Sequence, residues 1–204
     1  MPLQSVSVNL LRPTQIAVGG RLVRQKRKDL RGLAKKPQEL VDYILIHPIS
    51  VVIGPAHAAY IIDHHHLGLA LLQERFKTAP VLVEADLSDH GPAAFWAEMR
   101  RKAWVYPFDR RGKERPISDI PQDLEAMQDD PYRSLAGFVR QKGGFTKTRK
   151  PYAEFRWADY FRPLISPNQV SQKFRQSVKR GIELAAHPNA AHLPGYNPAD
   201  HRAE

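Results

Sequence analysis

Two short apolar runs separated by a turn restrict the fold more than any other feature of this sequence. The run Ile49–Ile53 is rich in β-branched residues, Gly54-Pro55 is a turn signal, and Ala59–Ile62 is a second run of strand length. From His65 onward the apolar pattern changes to that of a buried helix. The sequence therefore predicts a β-hairpin that leads directly into a buried helix.

The flanking segments complete an α+β pattern. Alternation at Ser5–Val8 and the run Val81–Val83 predict two more strands, and Pro37 suits the first position of a helix. After Asp89, helical patterns dominate. We predict an α+β fold with a core over residues 1–89, a helical region over 90–187 packed on that core as part of one unit, and a loosely ordered tail over 188–204. The predicted helices are 21–35, the segment from Pro37 to Pro48, the segment from His65, and 92–103, 121–128, 131–142, 151–162 and 168–186.

Composition limits the class of protein. Hydrophobic residues make up 42% of the 204 residues and charged residues 25%, which is enough to bury an ordinary core. The sequence has no apolar run of about 18 residues and no secretory signal, so we expect a soluble cytoplasmic protein with no membrane partner. Because the chain has no cysteine, disulfides, thiolate metal sites and cysteine nucleophiles are excluded.

The positive charge of the chain bears on its partners. The formal net charge is +10, and residues 1–36 hold nine lysines and arginines against Asp29 alone. One interpretation is a solvated basic surface, and the other is binding of a polyanion or a phosphorylated small molecule. Under the second interpretation, Arg24 and Lys26 in the predicted basic helix neutralise phosphate charge.

The densest chemical signal is the junction between the second hairpin strand and the buried helix. There Asp63 is followed by His64, His65 and His66. A helix start presents unpaired N–H groups and the positive end of the helix dipole, which favour a phosphate. Imidazoles exchange protons near neutral pH, and a carboxylate orients an imidazole or binds a divalent cation.

Two other interpretations of this junction stay open. Asp63 could be a helix N-cap, for which Asp is favoured. A metal site led by Asp63 is also considered, although no spaced pair of further ligands supports zinc. Consecutive helical residues point about 100° apart, so the three histidines cannot all face one ligand.

Several short motifs follow one another along the chain: Leu11–Gln15, Val18-Gly19, Val23 with Lys26, His47–Val51 and Tyr60–Ala70. Their order resembles the ParB-like nuclease family of the ParB/sulfiredoxin superfamily. The resemblance covers about residues 5–87 and is strongest at Ile62–His66. The helical remainder, with Asp130–Leu135 and Ala153–Asp159, resembles the long variant of that family.

The chain departs from the family pattern at several positions. The resemblance implies a box related to Asp-Gly-His-His-Arg, called the family box, where a strand ends at a helix start. His64 stands where this box usually has Gly, and Leu67 stands where it has a phosphate-binding Arg. The sulfiredoxin branch needs a cysteine and is excluded. Relatives that phosphorylate serine carry an acid where this chain has Gln15, and a neutral amide cannot act as their general base.

The resemblance implies a small mixed sheet with helices and a phosphate- or nucleotide-handling activity. We predict a nuclease or nucleotide hydrolase, with a nucleotide-dependent small-molecule kinase or a non-catalytic binding module as alternatives. The partner is a nucleotide or nucleic acid, and the expected cofactors are Mg²⁺ or Mn²⁺ and a nucleotide such as ATP, ADP or CTP. The predicted catalytic residues are Asp63, His65 and His66, the phosphate- or nucleotide-binding residues are Gln15, Arg24, Lys26, His64 and Gly68, and the metal ligand is Asp63.

Overall fold

Two compact units make up the chain in the computed structural model, which describes residues 3–198. Among these, the first unit comprises residues 3–18 and 23–129, and the second comprises residues 19–22 and 130–198. The first unit thus continues beyond the boundary predicted at residue 89. The reason is that the segment after that boundary supplies the buried side chains of Phe95, Ile120 and Leu124 to the cores of the first unit.

A five-stranded mixed sheet forms the centre of the first unit. The strands are β1 (Gln4–Ser7), β2 (Leu11–Arg12), β3 (Ala17–Val18), β4 (Ile49–Ile53), β5 (Ala59–Ile61), β6 (Thr78–Asp86) and β7 (Gln128–Asp129). The sheet has the order β1-β6-β4-β5-β2, while β3 and β7 pair with each other. The predicted hairpin is confirmed, since β4 and β5 are antiparallel. β2 runs parallel to β5 at the edge.

The helices follow most of the predicted pattern. They are α1 (Gly20–Leu33), α2 (Pro37–Ile46), α3 (His65–Gln73), α4 (Pro92–Arg101), α5 (Pro131–Gln141), α6 (Ala153–Phe161), α7 (Pro167–Gln172) and α8 (Phe174–Ala186). The helix predicted over 121–128 is instead a 3₁₀ turn followed by β7. Buried Leu124 and Met127 are three residues apart, a spacing that fits a 3₁₀ turn as well as an α-helix. No helix within residues 3–198 is long and apolar enough to span a membrane.

Side chains alternate along the strands, so the two faces of the sheet contribute to two different cores. On one face, Ile61 of β5 packs with residues of α1 and α3, including Leu30 and Leu71. On the other face, Tyr60 packs with Phe95 of α4. Tyr60 and Ile61, which are successive residues of β5, therefore belong to different cores. β5 ends directly after them, at Ile61.

The second unit is a helical cluster built around aromatic side chains. Trp157 and Phe161 of α6 are fully buried. A bidentate ion pair joins Arg162 to Asp130, with Nη2 and Oδ2 2.7 Å apart.

The start of the predicted tail is packed rather than loosely ordered. Leu193 is buried in the core of the second unit, and the Trp157 indole N–H donates to Pro194 O at 2.8 Å. The rest of the predicted tail, residues 199–204, lies outside the described residues.

Candidate functional site

A left-handed residue shapes the turn between β5 and α3. The strand ends at Ile61, and the N–H of Ile62 still donates to Ser50 O at 2.9 Å. His64 then has φ 68 and ψ 28, the left-handed conformation that glycine adopts most readily, and α3 begins at His65. This conformation gives a physical reason for the glycine that the family box carries where this chain has His64.

The imidazoles of His47 and His64 are held in the same way. Nδ1 of His64 lies 2.8 Å from Pro48 O, and Nδ1 of His47 lies 2.8 Å from Tyr43 O. A carbonyl oxygen only accepts, so each Nδ1 carries a hydrogen, and Nε2 is the nitrogen left for other chemistry. The two ring centroids are 6.4 Å apart. The turn therefore places two anchored imidazoles side by side.

Lys26 of α1 is linked to His47 through Tyr43 of α2. Its Nζ donates to Tyr43 Oη at 2.8 Å and lies 5.4 Å from the centroid of that ring. The rings of Tyr43 and His47 are in turn 4.5 Å apart. We call Lys26, Tyr43, His47, Asp63 and His64 the histidine cluster.

Asp63 lies at the solvent-facing side of the cluster. Its side chain is 76% exposed, and its Oδ2 is 3.9 Å from Nε2 of His64. Its Oδ1 accepts from the His64 N–H at 2.7 Å. The capping interpretation is wrong, because the N-cap of α3 is His64 and no side chain caps the helix.

His65 is a buried structural contact. Its side chain is 2% exposed, and its Nε2 accepts a hydrogen bond from the Thr14 N–H at 3.2 Å. The Thr14 hydroxyl donates to Ile61 O at 2.7 Å, so the segment after β2 is tied to both β5 and α3. The catalytic role predicted for His65 therefore has no exposed nitrogen at Nε2 to support it.

The remaining predicted residues of α3 divide between surface and core. His66 is half-buried in the first turn. The Gly68 N–H donates to His64 O at 2.9 Å within the helix, which leaves no N–H for the phosphate contact predicted there. A Cβ at Gly68 would lie 2.8 Å from Cδ1 of Ile61. A side chain at this position would therefore force Ile61 Cδ1 to move, so Gly68 favours close packing of α3 on the sheet.

Gln15 and Arg24 do not join the histidine cluster through any hydrogen bond among the described residues. Gln15 is 9% exposed, and its Oε1 is buried without a partner within residues 3–198. Arg24 is exposed on α1. Because Arg24 and Lys26 are two residues apart, they point about 200° apart around the helix. Of the predicted residues, the structure brings together Lys26, Asp63 and His64.

Residues 3–198 contain no group of three or more histidine or carboxylate side chains placed to hold a metal ion. Asp63 alone offers an exposed carboxylate at the cluster. One carboxylate is too few protein ligands for a resident metal, so a cation held there would need further ligands from another molecule.

Sequence reasoning did not assign Tyr43 and His47 to the site. Their spacing of four residues places both on one side of the end of α2, and His47 lies two residues before β4. That spacing was the one feature of the sequence from which a Tyr43–His47 contact could have been predicted. It does not reveal the contact with His64, because that contact depends on where the end of α2 lies relative to the turn between β5 and α3.

The family of the chain follows from comparison with known proteins. Residues 4–163 match the family described as "Putative ParB-like nuclease". The match covers most of the chain, including the hairpin, the His64 turn and the histidine cluster. The chain belongs to this ParB-like nuclease family.

A solved structure agrees with this assignment. The chain is similar to protein Atu1540 from Agrobacterium tumefaciens, with 38% sequence identity and a TM-score of 0.87. The similarity covers 97% of this chain and 98% of the other. No curated protein matches the chain. The predicted α+β fold and family resemblance are thus confirmed.

Proposed function

We propose that the protein cleaves phosphoester bonds in nucleic acid, with His47 and His64 as a general acid–base pair. The observation that carries this proposal is the matched anchoring of the two imidazoles, each through Nδ1 to a backbone carbonyl oxygen, with ring centroids 6.4 Å apart. Such an arrangement fixes the tautomer of each ring and directs the same nitrogen, Nε2, to the reaction.

The chemistry needs one imidazole neutral and the other protonated. The neutral ring takes a proton from an attacking hydroxyl or water as its oxygen bonds to phosphorus. The protonated ring gives its proton to the leaving oxygen as the second P–O bond breaks. A pair that works in opposite protonation states produces a bell-shaped dependence of rate on pH.

Charge around the cluster supports an anionic substrate. Lys26 is held beside Tyr43, and the start of α3 adds the positive end of a helix dipole next to His64. The net charge of +10 favours association with nucleic acid at long range.

A divalent cation would be held at Asp63 if it enters with the substrate. Bound there, Mg²⁺ or Mn²⁺ would neutralise phosphate charge and orient the reacting group. The proton transfers at His47 and His64 do not depend on that cation.

The test uses fluorophore- and quencher-labelled single-stranded RNA and DNA with the full chain, in EDTA and in Mg²⁺ or Mn²⁺. His47→Asn and His64→Asn are the informative variants, because the Asn amide N–H₂ can replace the Nδ1 donor to Tyr43 O or Pro48 O. Each should lower kcat about 100-fold or more with the melting temperature nearly unchanged.

His90→Asn is the matched control, since His90 is exposed and lies outside the cluster. It should cleave like the parent. If His47→Asn and His64→Asn also cleave like the parent, or if the parent cleaves neither nucleic acid, the proposal is wrong. Binding without cleavage would instead support the non-catalytic binding module.

A further inference from the structure

A pocket lies in the first unit on the face of the sheet opposite α3. Its volume is about 280 Å³, and its walls include Arg12, Tyr60, Trp96, Ile117, Ile120 and Gln122. This volume is close to the lower end of the range for small-molecule sites, about 300 Å³. Because Tyr60 and Ile61 point to opposite faces of β5, the pocket and the core beneath α3 are separate.

The cation of the pocket has no carboxylate partner. Nη1 of Arg12 donates to Tyr60 Oη at 3.4 Å and to Gln122 Oε1 at 3.2 Å, and both acceptors are neutral. No carboxylate lies within ion-pair distance of Arg12 in residues 3–198, although its side chain is half-buried. A guanidinium in this setting favours a ligand that is rich in hydrogen-bond acceptors.

Aromatic side chains supply the wall beside this cation. The rings of Tyr60 and Trp96 lie 5.5 Å apart at 82°, and Phe95 packs against both. Trp96 is half-buried at the pocket, while Phe95 is fully buried. A rigid aromatic wall of this kind stacks a planar ring.

We propose that this pocket binds a guanine base. Guanine presents two adjacent acceptors, O6 and N7, that match the fork of an arginine. Adenine places an amino donor at the position of O6, and Arg12 has only donors, so adenine is disfavoured. The ring of the base stacks on Trp96.

The position of Tyr60 relates this pocket to the histidine cluster. Asp63 follows Tyr60 by three residues, which is at most about 10 Å of extended chain. A base in the pocket would therefore lie near the end of β5 that leads to the cluster. Binding of guanine goes beyond the proposed cleavage, because it requires no catalytic step.

Calorimetric titration of the full chain with GMP, AMP and ribose 5-phosphate tests the proposal. GMP should bind at least about tenfold more tightly than AMP, in line with the discrimination of one bidentate arginine contact. Ribose 5-phosphate measures the contribution of phosphate alone and should bind at least as weakly as AMP. This comparison needs no variant of the protein.

Two variants then locate the binding site. Arg12→Lys keeps the positive charge but loses the fork, so it should remove the preference for GMP over AMP. Trp96→Ala should weaken GMP binding by about tenfold through lost stacking, while ribose 5-phosphate binding is unchanged. His90→Asn changes an exposed residue outside the pocket walls and should bind GMP like the parent.

Equal binding of GMP and AMP by the parent would overturn the proposal, as would no GMP binding at millimolar concentration. GMP binding that survives both Arg12→Lys and Trp96→Ala would also overturn it, because the base would then bind elsewhere. A preference for GMP without cleavage of nucleic acid would reject the proposed function and leave the guanine pocket supported. Cleavage of nucleic acid without a preference for GMP over AMP would reject the guanine pocket and leave the proposed function supported.

Discussion

Nε2 of His65 accepts a hydrogen bond from the backbone N–H of Thr14 at 3.2 Å, in a site where the His65 side chain is 2% exposed. The two residues are far apart in sequence, so this contact joins the segment after β2 to the first turn of α3. His65 is thus a structural residue at a position where the sequence predicted an acid–base residue.

The first prediction concerns this contact. His65→Ala leaves a buried Thr14 N–H without its acceptor and opens a cavity, and it should lower the free energy of unfolding by about 2–4 kcal/mol. Urea denaturation measures this change. His64→Asn is the comparison and should change stability by less than about 1 kcal/mol, because Asn tolerates the left-handed conformation. A fully stable His65→Ala variant would contradict the structural role.

Gly68 provides a second prediction. A Cβ there would meet Cδ1 of Ile61, whose side chain is fully buried, so Gly68→Ala should destabilise the protein by about 1–2 kcal/mol. Gly32 in α1 is the control, since a Cβ there meets nothing within 4 Å. Gly32→Ala should stabilise by about 0.5–1 kcal/mol. If both variants are stabilised equally, Gly68 is not needed for packing.

Packing of the predicted tail gives the third prediction. Gly195 has φ +77, and a Cβ there would collide with the backbone oxygen of Thr146. Gly143 has φ +83 with open space around its Cβ position. Gly143→Ala should therefore lose only about 1–2 kcal/mol from the left-handed conformation. Gly195→Ala should lower the free energy of unfolding by clearly more than Gly143→Ala. Thermal or urea denaturation measures both changes. Equal losses would mean that the collision is relieved by movement of the chain.

The fourth prediction separates two cations on α1. If nucleic acid binds at the histidine cluster, Lys26→Gln should reduce the slope of log K against log salt by about 0.7–0.9, the value for one lost phosphate contact. Arg24→Gln should leave the slope unchanged, because Arg24 points to another side of the helix. Binding measured by fluorescence anisotropy at several salt concentrations checks both. A slope that changes only in Arg24→Gln would place the nucleic acid elsewhere.

Local signals predicted much of the fold. The hairpin of β4 and β5, the start of α2 at Pro37 and the start of α3 at His65 are marked by β-branched runs, a turn and a helix-favouring proline. The two-residue strands β2, β3 and β7 were missed, because they are too short to carry a periodic pattern. The helix predicted over 168–186 is interrupted at Lys173, which has φ −122 and ψ 47.

The candidate site was predicted only in part. The sequence marked Asp63 and His64, because an acid and imidazoles follow a strand directly. It did not indicate that His65 is buried, since burial depends on contact with Thr14 from another segment. Nor did it join His47 to His64, because that contact depends on where two separate segments lie in the fold.

The left-handed conformation of His64 sets backbone preference against side-chain chemistry at one position. His64→Gly should be more stable than His64→Ala by about 1 kcal/mol, the reverse of their order inside a helix, because only glycine adopts φ 68 without penalty. Neither variant retains an imidazole. Selection of this protein for thermal stability alone should therefore favour glycine or asparagine at position 64. The variants recovered would be more stable but would have lost the histidine pair.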